Sequence, residues 1–189
     1  MNNKARYAII MLISVLMNQV FFTLGDIYHW PMWLDTTGTA LAALVLEPTA
    51  GLIVGLINNF YIANFVFDSS TLIYYGVSAA IAIIVGVNMR VNGKLSLKRL
   101  LPTMLLVVLV ASTLSSLLTM WRSGGVSNSP WEQYYYQIAA GYGAPNIVSC
   151  FFGTLVVRVY DTIVSTVVIG VFYVLLPKCL KTARVEPKQ

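Results

Sequence analysis

Tyr7–Leu24 and Leu101–Met120 each run without a single charged residue. Each is long enough to cross the roughly 30 Å hydrocarbon core of a bilayer as a helix. Over the whole chain only 10% of residues are charged and 58% are hydrophobic, against about 25% charged in a soluble domain. A chain of 189 residues with so few charges cannot cover its own surface, so lipid must be its solvent. Backbone groups in lipid have to be satisfied within the segment that carries them. The expected class is therefore all-α: a single transmembrane domain, 1–189, with spans near 7–24, 36–46, 49–67, 72–89, 101–120 and 153–176.

The net charge of +5 is not spread evenly. Lys4 and Arg6 precede the first span. Arg90, Lys94, Lys98 and Arg99 cluster between the fourth and fifth. Lys178, Lys181, Arg184 and Lys188 follow the last. Basic residues collect on the cytoplasmic side, so six spans with both termini cytoplasmic fit the pattern. A five-span reading, with residues 36–67 as one kinked helix, would put Arg90–Arg99 outside. Charge at helix ends needs no nucleic acid to explain it. A multi-pass protein of the cell membrane is the expectation.

The stretch Leu34–Asn59, LDTTGTALAALVLEPTAGLIVGLINN, reads as two short helices folded back on each other. Glu47-Pro48 makes the turn, because proline suits a first helical turn. That brings Asp35 and the adjacent amides Asn58 and Asn59 together at the outer end. Two neighbouring helical residues point about 100° apart, so one amide can face a ligand while the other bonds a neighbouring helix. Gly51 and Gly55 form a GxxxG that permits close helix packing.

The outer face also gathers Trp30, Trp33, Tyr61, Tyr75, Trp121, Arg122 and Tyr142. Aromatic faces with a few placed polar groups suit a small-molecule pocket. An interfacial aromatic belt accounts equally well for any single one of them; the set, with its asparagines and arginine, favours a pocket. Arg158 and Asp161, three apart in the last apolar run, share a helix face. They form either a structural ion pair or a ligand-binding arginine steadied by its partner. Asp35 either caps its helix or accepts from a ligand. The arginines suit an anionic or carbonyl group; Asp35 and Asp68 suit an amine equally well. Ser123–Asn146 is read as a long polar loop, and a bent or re-entrant segment is expected near Gly153. Cys150 and Cys179 fall on opposite sides, which disfavours a disulfide. With one histidine and no metal-ligand spacing, no metal or other cofactor is expected. No nucleophile–base pair and no GxxxxGK[ST] phosphate loop is present, so the chain is not expected to be an enzyme.

The six-span plan, the short LDTTGTA-led second span, the EPTAGLIVGLINN third span and the ending RVYDTIVSTVVIGVFYVLLPK together resemble the substrate-binding S components of energy-coupling factor transporters. In that family Glu47-Pro48-Thr49-Ala50-Gly51 would stand where Gly-Pro-x-x-Gly is common. The resemblance implies high-affinity uptake of a vitamin-like solute beneath a lid, Gly25–Leu34. It also implies a transmembrane T component driven by separate ATPase subunits as partners. The first helix departs from the family's Ala-x-x-x-Ala docking motif, since Ala5 and Ala8 are three apart. A ligand sensor or scaffold with a separate cytoplasmic partner is the other reading.

Overall fold

The computed structural model describes residues 3–91, 94–177 and 180. Lys178, Cys179, Lys181, Arg184 and Lys188 lie outside the described residues. Seven helices follow in order: α1 (Asn3–Ile27), α2 (Thr37–Val45), α3 (Pro48–Phe65), α4 (Tyr75–Asn88), α5 (Leu100–Ser123), α6 (Pro130–Gly141) and α7 (Asn146–Leu175). A 3-10 turn, Ser69–Tyr74, leads into α4. A two-residue antiparallel ladder, Arg90–Val91 with Lys94–Leu95, joins α4 to α5. Among the described residues four helical stretches are long and apolar enough to cross a membrane: Asn3–Ile27, Ser69–Asn88, Leu97–Ser123 and Asn146–Leu175.

The α2–α3 hairpin forms as its sequence suggests. Glu47 is extended and Pro48 opens α3 at its first turn. The length of α2 differs from a span, however. Its 9 residues reach about 14 Å, half of a hydrocarbon core. Every residue from Thr37 to Val45 is buried, because α1, α3, α4 and α7 pack around it. α2 is the centre of the bundle.

A short helix shut inside protein must satisfy its N-terminal N–H groups without water. The N-cap position of α2 is Thr36 rather than Asp35, and the Thr36 side chain makes no capping bond. The cap comes from α1 instead. The Asn18 side chain accepts from the Gly38 N–H at 2.6 Å and donates to the Thr39 hydroxyl at 3.0 Å. Asn18 is fully buried. Gly38 permits this approach: a Cβ there would lie 1.8 Å from the Ser14 carbonyl oxygen.

Two further expectations are corrected. The polar stretch after α5 is not all loop, since α6 occupies its middle. Ser129 is the N-cap, Pro130 follows it, and the Glu132 N–H donates to the Ser129 hydroxyl at 3.4 Å. The chain does not bend at Gly153 either, because α7 runs unbroken through it. Gly153 is instead the seat for α6, as a Cβ there would come within 2.4 Å of the Glu132 carbonyl oxygen. Gly51 does serve close packing: a Cβ there would meet Ala43 and Ala82 at under 3 Å. Gly55 stands against Ser78 and Thr39.

The chain alternates direction, so its two ends meet. Ile10 near the start clusters with Leu176 and Leu180 near the end, and the Tyr7 hydroxyl donates to Glu47 at 3.0 Å. The opposite end carries Phe22, Trp33 and Phe67 in mutual ring contact.

Gly38→Ala forces backbone apart at the centre of the bundle. Its expected cost is that of overpacking, about 1–3 kcal/mol, read as a lowered thermal unfolding midpoint in detergent. Gly76→Ala, where an added Cβ meets nothing within 4 Å, is expected to hold or raise that midpoint.

Candidate ligand cavity at one end of the bundle

Between α1 and α2 the segment Tyr28–Thr36 lies across the end of the bundle opposite the termini. Two of its residues, His29 and Leu34, are non-glycines in the left-handed region, with φ of 52° and 54°. Such residues cost on the order of 1–3 kcal/mol each and persist where surrounding contacts impose them. The contacts are present. The Leu34 N–H donates to Asp161 Oδ1 at 2.8 Å, the Trp33 indole donates to Glu132 Oε1 at 3.1 Å, and the Trp131 indole donates to the His29 carbonyl at 2.8 Å. The segment is thus strapped to α6 and α7 at three points.

Beneath it lies a cavity of about 80 Å³. Trp33 and Asp35 enter it from the covering segment, Asn59 from α3, Glu132 from α6 and Arg158 from α7. Phe22, Phe67 and Tyr74 supply aromatic walls. Hydroxyls of Thr36, Thr71, Ser78, Ser115, Thr119 and Ser127, the amide of Asn128, and the apolar Ile62 and Val77 complete the lining. Arg158 is the only cationic residue in that lining. It is 8% exposed, and its guanidinium meets Asp161 at 2.6 Å. Asp161 therefore serves two groups, the Arg158 fork and the Leu34 N–H. Asn59 donates to Ser78 Oγ and to the Gly55 carbonyl, both at 2.8 Å. Burial pushes the Asp35 carboxyl up to about 6; Arg158 opposes this, while Asp161 and Glu132 add to it.

Asn58 faces away from the cavity but organises it. It accepts from Gln19 at 2.7 Å and donates to the Asp35 carbonyl at 2.9 Å, so the two ends of the α2–α3 hairpin do meet. The other sequence candidates do not line the cavity. Trp30 stacks on Tyr28, and Tyr61 packs against Phe65 on the outside. Tyr75 is outside the lining. Trp121 is 77% exposed and Tyr142 90%, positions that suit an interfacial belt. Arg122 is tied to Asp68 at 2.8 Å and to the Ser70 hydroxyl at 2.7 Å on the surface. The hydroxyl of Ser70 holds the Asp68 carboxyl below its usual range, with help from Arg122.

Glu132 is the residue that sequence reasoning missed. Its signal was the S-P-W-E run at Ser129–Glu132, an N-cap serine followed three residues later by glutamate. Phe22 and Phe67 carried no such mark in apolar surroundings.

A second cavity of about 510 Å³ lies on the other side of Arg158, toward the β ladder. Ala40, Leu44, Ile81, Val85, Met104 and Val107 give it hydrocarbon walls. Thr36 and Arg158 border both cavities. Among the described residues no group of three or more His, Cys, Asp or Glu side chains could hold a metal ion. No protein-family model matches the chain, and no curated protein or solved structure is significantly similar to it.

Trp33→Phe deletes the bond to Glu132 and keeps the ring contacts. Protection of residues 28–36 in amide hydrogen exchange is expected to fall about fivefold, the worth of ~1 kcal/mol. Trp30→Phe is expected to leave it unchanged.

Proposed function

We propose that the chain is the membrane-embedded binding subunit of an uptake system for a small vitamin-like solute, energised by separate ATPase subunits through a transmembrane partner. The observation that carries this reading is convergence. Trp33, Asp35, Asn59, Glu132 and Arg158 come from four separate elements to one enclosed cavity, among aromatic faces. Few polar groups, precisely aimed in apolar surroundings, are the hallmark of a small-molecule site. The larger cavity is of ordinary pocket size but offers mainly hydrocarbon, which lipid can fill.

The basic residues support the orientation. Lys4, Arg6, Lys98 and Arg99 lie toward the end opposite the small cavity, so by the positive-inside preference that end is cytoplasmic. Six crossings follow when the short α2 is counted as the second. The solute then arrives from outside. At about 80 Å³ the cavity is smaller than the roughly 150 Å³ that accepts benzene, so a ring system needs the covering segment to lift. The strain at His29 and Leu34 favours that motion once the straps part. With no phosphate-binding loop in the sequence, energy has to come from another chain.

Mass spectrometry of small molecules released from the detergent-purified protein tests the proposal. A stoichiometric compound that stabilises the protein when added back is the expected result. Trp33→Ala and Asn59→Ala are expected to weaken its binding at least tenfold, while Trp121→Ala and Tyr142→Ala bind as the parent. No compound, and no stabilisation across a panel of B vitamins and their precursors, would leave the ligand sensor or scaffold as the better account.

A further inference from the structure

The charge around the small cavity does not balance. Glu132 and Asp161 are both close enough to act on Asp35, and all three carboxylates act on Arg158. Three carboxylates against one guanidinium leave an excess of two negative charges when all are ionised. The guanidinium is already committed, since Asp161 holds it at 2.6 Å. Glu132 is partly committed, taking the Trp33 indole on one oxygen and the Ser127 hydroxyl on the other. Neither partner carries a charge. Beyond a bond to its own backbone N–H, the Asp35 carboxyl has no hydrogen-bond partner among the described residues. Unpaired carboxylates in a largely water-free setting are costly, and a buried charge is normally matched by an opposite one.

The remaining lining points the same way. The Asn59 amide nitrogen is spent on Ser78 and Gly55, which leaves its carbonyl oxygen as the group to offer a ligand. Phe22, Trp33, Phe67 and Tyr74 present ring faces around the same space, with Trp33 parallel to Phe22 and Phe67 edge-on to both. Aromatic faces beside carboxylates are the surroundings in which an organic cation is held, by ring quadrupoles as well as by charge. An anion would meet Asp35 and Glu132, and the one guanidinium in the lining is already ion-paired with Asp161. Arg122, the other arginine near this end, is bound to Asp68 on the surface.

We propose that the solute is a small organic cation, an ammonium, amidinium or charged ring nitrogen, whose charge faces Asp35 and Glu132 against the aromatic walls. This rests on the reading of the cavity as a solute site and narrows the class of solute. It also fixes a pH dependence. Asp35 binds the cation only when ionised, in the field of Arg158 and Asp161 from α7 and Glu132 from α6. Affinity then falls as pH drops through about 6, approaching about tenfold per pH unit below it.

The test is calorimetric titration and thermal shift of the full chain in detergent with matched triples. Benzamidine, benzamide and benzoate form one triple. Ring-methylated nicotinamide, nicotinamide and nicotinate form the other. The charge of any compound released from the purified protein is read alongside. The cationic member is expected to bind at least tenfold more tightly than its neutral and anionic partners. Asp35→Asn is expected to abolish that preference while the protein still folds, because the change removes a half-buried charge and keeps the side chain's shape. Glu132→Gln is expected to reduce it. A neutral or anionic member binding as well as the cation, or a released compound without positive charge, would sink the charge assignment and leave the solute site standing. Asp35-dependent stabilisation given in full by sodium or potassium chloride, with none from the organic cations, would make this an inorganic cation site and overturn the proposal. No binding by any member and no released compound would remove both the solute site and its charge.

Discussion

A helix of nine residues, sealed on every side by protein, has nowhere to send its first N–H groups except into a neighbour. Asn18 of α1 answers that need for α2, and much of the architecture follows from it. The amide has to sit at one height on α1, Gly38 has to lack a side chain, and α1 and α2 have to touch backbone to backbone. Once α2 is fixed, the chain before it crosses the end of the bundle as a run of turns and bends. The covering segment is therefore a by-product of the shortness of α2. So is the polar floor at its edge, where Thr36 and Arg158 separate two cavities of different chemistry.

Asp161 is the second pivot. Its bond to Arg158 joins two residues of the same helix and holds no helices together by itself. Its bond to the Leu34 N–H crosses between elements and pins a left-handed residue. The structural and the ligand-facing roles considered for this pair are therefore shared out. Asp161 anchors the covering segment, and Arg158 borders the cavity with its charge already answered.

Much of this was legible in the sequence, and the rest was hidden for definite reasons. The α2–α3 hairpin was readable because Glu47-Pro48 interrupts an apolar run and leaves Asp35 and Asn58 at matching ends. Trp33, Asp35, Asn59 and Arg158 were readable as conspicuous residues at one level. Which tryptophan and tyrosine faced inward was not, because a helix in lipid is apolar on both faces and loses the periodicity that marks a buried side. Trp121 and Tyr142 therefore looked no different from Trp33. α6 was obscured by the glycines and prolines around it, although Ser129 and Glu132 carry a helix-start spacing. Gly153 suggested a break when its role is to admit another helix, a distinction that depends on what lies opposite.

α7 spans 30 residues without interruption, about 45 Å of rod. Its Asp161 touches the covering segment, and Leu176 beyond its last turn packs on Ile10 at the far end. No proline, bulge or turn along that length can absorb a displacement. A tilt of α7 that accompanies release of Leu34 is therefore a lever movement with its long arm on the opposite face. The two ends of the bundle are thus joined by one continuous helix, which ties the covering segment to the packing at the far end.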